Sequence, residues 1–101
     1  MPSLKISQAT TLTPEDCFER VAKMFENDRD LKKLDPGFQC SFDRTKLNGT
    51  AEGQQFKAKM NVSGSGQQSS VHIEVELPFH LALVKGMVQK TLEKKLAAAL
   101  A

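Results

Sequence analysis

The chain contains no tryptophan and no tyrosine, so neither an indole nor a phenol is available to a catalytic or binding site. Cysteine is scarce: Cys17 and Cys40 are the whole complement. Two cysteines cannot make a disulfide framework. One bridge is possible by count, and two free thiols in a reducing compartment is the reading adopted. Charge of one sign is also lacking, with 14 basic against 12 acidic residues and a formal net charge of +2 over 101 residues. A nucleic-acid binder usually concentrates a basic field, and this balance announces none. Long hydrophobic runs are missing too. The longest, Leu77 to Val84, is interrupted by Pro78 and His80 and falls far short of the roughly 20 residues a membrane span needs. The start, Met1-Pro2-Ser3-Leu4-Lys5, places no apolar run behind a basic segment, so no signal peptide is read. The expectation is a soluble, cytoplasmic protein without a membrane span, forming a single domain over residues 1–101. A domain of this size buries about two-thirds of the surface its unfolded chain exposes.

Reactive chemistry is equally sparse. His72 falls among Lys57, Lys59, Glu74 and Glu76 on a polar strand face, and His80 sits at a strand-to-helix junction; both read as surface residues. Cys17 lies in the first turn of a helix, which favours a thiolate, but beside Phe18 and near Val21 it reads as packing at the core margin. Cys40 points to the apolar face of a strand. No histidine stands at ligand spacing from either cysteine, so no metal is expected. Gly64-Ser65-Gly66 lacks the lysine and helix of a phosphate cradle, and no other cofactor is implied. The chain is therefore read as a non-enzyme with no catalytic residues.

What is present is patterned hydrophobicity. Leu4 and Ile6 alternate with Lys5 and Ser7, predicting a strand at about residues 3–9. Thr13-Pro14-Glu15-Asp16 is a helix start: a capping hydroxyl, a proline suited to the first helical position, and two acids at the positive end of the dipole. Phe18, Val21, Ala22 and Phe25 follow at helical spacing, with Asp16–Arg20 and Glu19–Lys23 four apart on the outer side. Asp30–Leu34 adds a short helical piece that must stop before Pro36. Three strands come next. Phe38, Cys40 and Phe42 alternate with polar residues, as do Phe56, Ala58, Met60 and Val62, and then Val71, Ile73, Val75 and Leu77.

Asn48-Gly49 is the expected first hairpin turn and Ser63–Gly66 the second. A bulge at Gly53 would set Phe42 opposite Phe56 and Cys40 opposite Ala58. In the second hairpin, Met60 pairs with Val71 or Ile73, and both registers place Lys57 opposite a glutamate. After Pro78 a final helix begins near residues 79–81, with Leu81, Val84, Val88, Leu92, Leu96 and Leu100 as its stripe. The fold class is α+β: an antiparallel sheet of three to four strands, in the order β-α-β-β-β-α, with two helices on its apolar face.

That order is also the outline of the double-stranded-RNA-binding domain, which opens its last helix with clustered lysines. Here the same place reads Phe79-His80-Leu81-Ala82-Leu83, and Lys85, Lys90, Lys94 and Lys95 are spread along the helix as a solvated face, so no nucleic-acid partner is expected. The anomaly is apolar surplus. Leu77, Phe79, Leu81, Leu83, Val84, Met87 and Val88 exceed what one helix stripe can use, and Leu83 lies off the stripe. They form the candidate ligand or partner surface: a lining for an apolar small molecule or lipid, a patch for a hydrophobic surface, or a homodimer contact.

The run Leu77-Pro78-Phe79-His80-Leu81-Ala82-Leu83-Val84-Lys85-Gly86-Met87-Val88, followed by Leu92 and Leu96, resembles the C-terminal signature of the polyhydroxyalkanoic acid system family. Phe42-Asp43-Arg44, Gly53, Phe56 and Val71–Val75 resemble its strand region. The motif residues that carry over are Pro78, Lys85 and Gly86. The chain departs from the family in a longer Asn27–Gly37 segment and in Phe38 or Phe42 where tryptophan is usual. The family looks like a reduced version of the START-like, helix-grip fold, in which a long C-terminal helix closes a cavity over a curved sheet. The resemblance implies a role at polyhydroxyalkanoate granules or in hydrophobic-ligand binding, with no catalytic residues to transfer. Gly86 costs about 1 kcal/mol inside a helix, and close approach of the helix to the sheet is the expected compensation. A homodimeric interaction module with a solid core is the alternative. A polyketide-cyclase type of enzyme ranks last, because the inward strand positions offer only Cys40 and Met60 as heteroatoms.

Overall fold

The computed structural model describes residues 3–101, with the backbone alone for Asp30, Leu31 and Leu34. Met1 and Pro2, part of the N-terminal reading above, lie outside the described residues. The elements are β1 (Ser3–Thr10), α1 (Pro14–Glu26), α2 (Arg29–Leu34), β2 (Gln39–Asp43), β3 (Asn48–Glu52), β4 (Lys57–Ser65), β5 (Gln68–Glu76), a 3-10 turn (Phe79–Val84) and α3 (Lys85–Leu100). The α+β class holds. The sheet is antiparallel throughout and has five strands in the order β1-β5-β4-β3-β2.

Alternation decides which face is covered. Leu4 and Ile6 of β1, Ala58, Met60 and Val62 of β4, and Val71, Ile73 and Val75 of β5 are all buried, while Lys5, Lys59 and Glu74 between them are exposed. A one-residue slip in any of these strands would exchange the two sets. The register of the long hairpin is Met60 to Ile73, one of the two anticipated, and it places Lys57 opposite Glu76.

Helix α1 starts as its sequence dictates: the Thr13 hydroxyl accepts the N–H of Asp16 at 3.2 Å, and Pro14 occupies the first turn. Phe18, Val21, Ala22 and Phe25 are buried over β4 and β5. Its outer charges reach across elements, Glu19 to Arg44 at 2.6 Å and Arg20 to the main-chain oxygen of Ala101 at 2.7 Å. Helix α3 lies chiefly against α1 and β1 through Leu92, Leu96 and Leu100. A salt bridge from Lys95 to Asp28 at 2.8 Å ties α3 to the junction of α1 and α2.

The first hairpin differs from the expectation. Asn48-Gly49 is not a turn but the start of β3, the additional strand. The chain reverses earlier, where the Asp43 carboxylate accepts the N–H groups of Thr45 and Lys46 at 3.0 and 3.1 Å and Leu47 takes a left-handed φ of 54°. An Asx turn thus outcompetes the Asn-Gly signal five residues on. Phe42 consequently faces Gly49 and Cys40 faces Ala51, so neither meets β4 directly.

Gly49 is needed there. A Cβ would stand 2.5 Å from Cδ1 of Phe42, whose ring leans over to meet Phe18 edge-on at 5.9 Å. Nor is Gly53 a strand bulge. It lies in the β3–β4 connection, with its N–H on the carbonyl of Phe56 at 2.9 Å and its Cα side closed off by the Asp35 carboxylate.

The last helix also starts later than expected. Residues 79–84 close as a 3-10 turn, with Leu81 N–H on the Pro78 carbonyl at 3.0 Å, and α3 proper begins at Lys85. Gly86 therefore falls in the first turn of α3 rather than in a helix interior. Nothing approaches within 4 Å of where its Cβ would be, so the close-packing role expected of it is not what the structure shows.

Candidate functional site

The sequence-predicted cluster divides at the end of β5. Leu77 is fully buried and plugs the core, while Leu81 and Val88 are partly buried and pack against it. Val84 and Lys85 are half-buried. Phe79, Leu83 and Met87 turn outward, 75%, 99% and 64% exposed. The 3-10 pitch explains the split: with three residues per turn, Leu81 and Val84 share a side, and Phe79 and Leu83 are left away from it.

The expected lining is thus not brought together into one wall. Between α1 and the sheet, the apolar space beside Phe25, Phe42, Ala51 and Met60 amounts to about 10 Å³, room for about one water molecule, against the roughly 300–1,000 Å³ of a ligand pocket. Phe18, Leu4, Leu77 and Leu96 are among the largest fully buried side chains of the core.

On the outer side of α3, Met87 lines an open hollow together with Lys90 and Lys94. The sequence pattern gives these lysines only a solvated face. Their spacing from Met87, three and seven residues on, is the signal that would have joined them to it. A second hollow, of about 350 Å³, lies on the polar side of the sheet among Glu52, Lys57, Lys59, Glu74 and Glu76. Its charges face one another across strands: Lys59 opposes Glu74, Lys57 opposes Glu76, and Lys57 also reaches Glu52 at 3.7 Å.

His72 is exposed on that same face and hydrogen-bonds Ser7 at 2.9 Å through Nδ1. His80 is exposed at the junction before α3. Cys17, expected at the core margin, is fully buried, and desolvation raises its thiol pKa against a weaker lowering by the Ser69 hydroxyl. Ser69 itself donates to the Leu12 carbonyl at 2.9 Å. Cys40, half-buried at the core edge, is likewise raised by desolvation, then by Glu26. Burial of this kind makes thiols less nucleophilic.

The most deeply buried of the polar residues Asp28, Asp35 and Ser69 is Asp35, 1% exposed, which alternation could not reveal. Its Oδ2 accepts the N–H of Gln55 at 2.7 Å and of Phe56 at 3.3 Å. Among the described residues no helix is long and apolar enough to cross a membrane, and no three His, Cys, Asp or Glu side chains converge as metal ligands would.

No protein-family model matches this sequence, and no curated protein matches it. Solved structures do match along nearly its whole length. The START superfamily protein from Mycobacterium smegmatis is 12% identical with a TM-score of 0.57, covering 97% of this chain and 93% of that one. The di-domain ARO/CYC protein BexL from the BE-7585A biosynthetic pathway is 10% identical with a TM-score of 0.72; the match covers 99% of this chain and 45% of BexL. Ara h 8.0201 is 13% identical with a TM-score of 0.51, covering 98% of this chain and 97% of that one. Helix-grip architecture of the START/Bet v1-like class is what these likenesses establish. At such identities they carry the fold and nothing of their activities.

Proposed function

We propose that this chain is a non-catalytic binding protein that lays Phe79, Leu83 and Met87 on an apolar surface. A storage-polyester granule is the particular surface the sequence resemblance implies. The observation carrying this reading is the exposure of these three large apolar side chains, 75%, 99% and 64%, on the segment where the START-like fold leads into its last helix. An enclosed ligand is less well supported, because the space beside Phe25 and Met60 is about 10 Å³. The interior polar groups also speak for a non-enzyme: the Cys17 thiol is raised by burial and the Asp35 carboxylate is occupied by main-chain N–H groups.

Each large apolar side chain moved from water into an apolar phase contributes about 1.5–3 kcal/mol. Purified protein mixed with amorphous polyester granules should sediment with them. The Phe79→Ser/Leu83→Ser variant should bind about 100-fold more weakly or worse, with unchanged circular dichroism and thermal midpoint. Failure of the parent to bind, or full binding by the variant, overturns the reading. The same small interior space favours a second reading, a homodimeric module with no ligand. Light scattering that gives a monomer over a wide concentration range eliminates it.

A further inference from the structure

Met87, one of the three protruding apolar side chains, does not stand on a neutral surface. Met87, Lys90 and Lys94 line one open hollow together with Glu93 and, from β1, Gln8; on α3 they lie away from the buried Leu92 and Leu96. Helix α3 carries Lys85, Lys90, Lys94 and Lys95 against a single acid, Glu93. Lys95 is engaged with Asp28, and Glu93 accepts the Gln89 amide one turn back at 3.0 Å. Lys90 and Lys94 against Glu93 thus leave the charge beside Met87 net positive.

We infer that this face docks on an anionic lipid surface, with Phe79, Leu83 and Met87 entering the acyl boundary and Lys90 and Lys94 meeting the headgroup phosphates. The inference rests on the reading of Phe79–Met87 as an apolar contact and supplies the chemistry of its target. Two arguments favour lipid over another folded surface. Leu83 is 99% exposed, so no neighbour forms a socket beside it. A protein interface packs as densely as an interior and needs complementary hollows, whereas fluid acyl chains close around any side chain that projects. The second argument is charge. A two-fold contact through this face would bring the net positive hollow of one copy toward the same surface of the other, which opposes association. An anionic leaflet reverses the sign, and lysine stems are long enough to hold the ammonium at phosphate level while the neighbouring apolar groups sink.

Flotation with vesicles of phosphatidylcholine alone, and of phosphatidylcholine with phosphatidylglycerol, tests this on the whole chain. The parent should bind the anionic vesicles at least about 25-fold more tightly than the neutral ones, at about fivefold per lysine. Lys90→Glu/Lys94→Glu should lose that preference with an unchanged thermal midpoint, and Lys90→Arg/Lys94→Arg should keep it. Equal binding to both vesicles overturns the charge assignment and leaves the apolar contact standing. So does binding to neither vesicle with retained partition onto uncharged polyester granules. Absence of binding to vesicles and granules alike overturns both readings.

Discussion

The Asp35 carboxylate is 1% exposed yet held ionised, because the loop at Gly53–Phe56 folds its main-chain N–H groups onto it. The N–H of Gln55 is the largest influence keeping its pKa below the ordinary 3.8; desolvation opposes it, and Gln54, Phe56 and Gly37 assist. Gly53 makes room for this, since a Cβ there would occupy the carboxylate's place. The sign of the pH effect follows. A carboxyl whose folded pKa is depressed contributes its full stability above the unfolded value, and the contribution is lost as pH falls through the folded value. Urea midpoints should therefore fall as the parent is acidified below about pH 4. Asp35→Asn should be less stable at neutral pH and show a shallower acid limb. Parallel acid limbs for the two proteins would mean that the charge is not what holds this loop.

Among elements, the long strands were legible because period two leaves little freedom. The buried set of β4 and β5 falls where Ala58, Met60, Val62, Val71, Ile73 and Val75 put it. Helix α1 was legible from its cap and stripe for a similar reason: local chemistry and burial agree. The β2–β3 hairpin was not, because two turn signals compete within a few residues and the winner is decided by packing. With the reversal at residues 43–47, Gly49 lands opposite Phe42 and frees the space its ring needs to reach Phe18. That account predicts coupling. Gly49→Ala should cost about 1–3 kcal/mol by overpacking, and combining it with Phe42→Leu should cost less than the sum of the two by at least about 0.5 kcal/mol. Strictly additive losses in chemical denaturation would show that the ring and the glycine do not share that space.

At the scale of the whole molecule, the sequence shows an apolar surplus between Leu77 and Val88 but not its direction, since composition is blind to a change from 3-10 to α pitch at Lys85. Which way each of these side chains turns depends on where α3 docks against α1 and β1. The fold thus uses leucines of the same C-terminal region for opposite ends. Leu96 is fully buried beneath α3, whereas Leu83 is 99% exposed. Truncating a buried leucine removes its transfer free energy and leaves a cavity, so Leu96→Ala should destabilise by about 2–5 kcal/mol. Truncating Leu83 removes contacts only with water and should stay within about 0.5 kcal/mol. Urea denaturation of the two variants separates the outcomes cleanly. A large loss at Leu83 would place it inside a packed interface rather than on a ridge, and the surface-docking mechanism would then lose its leading side chain.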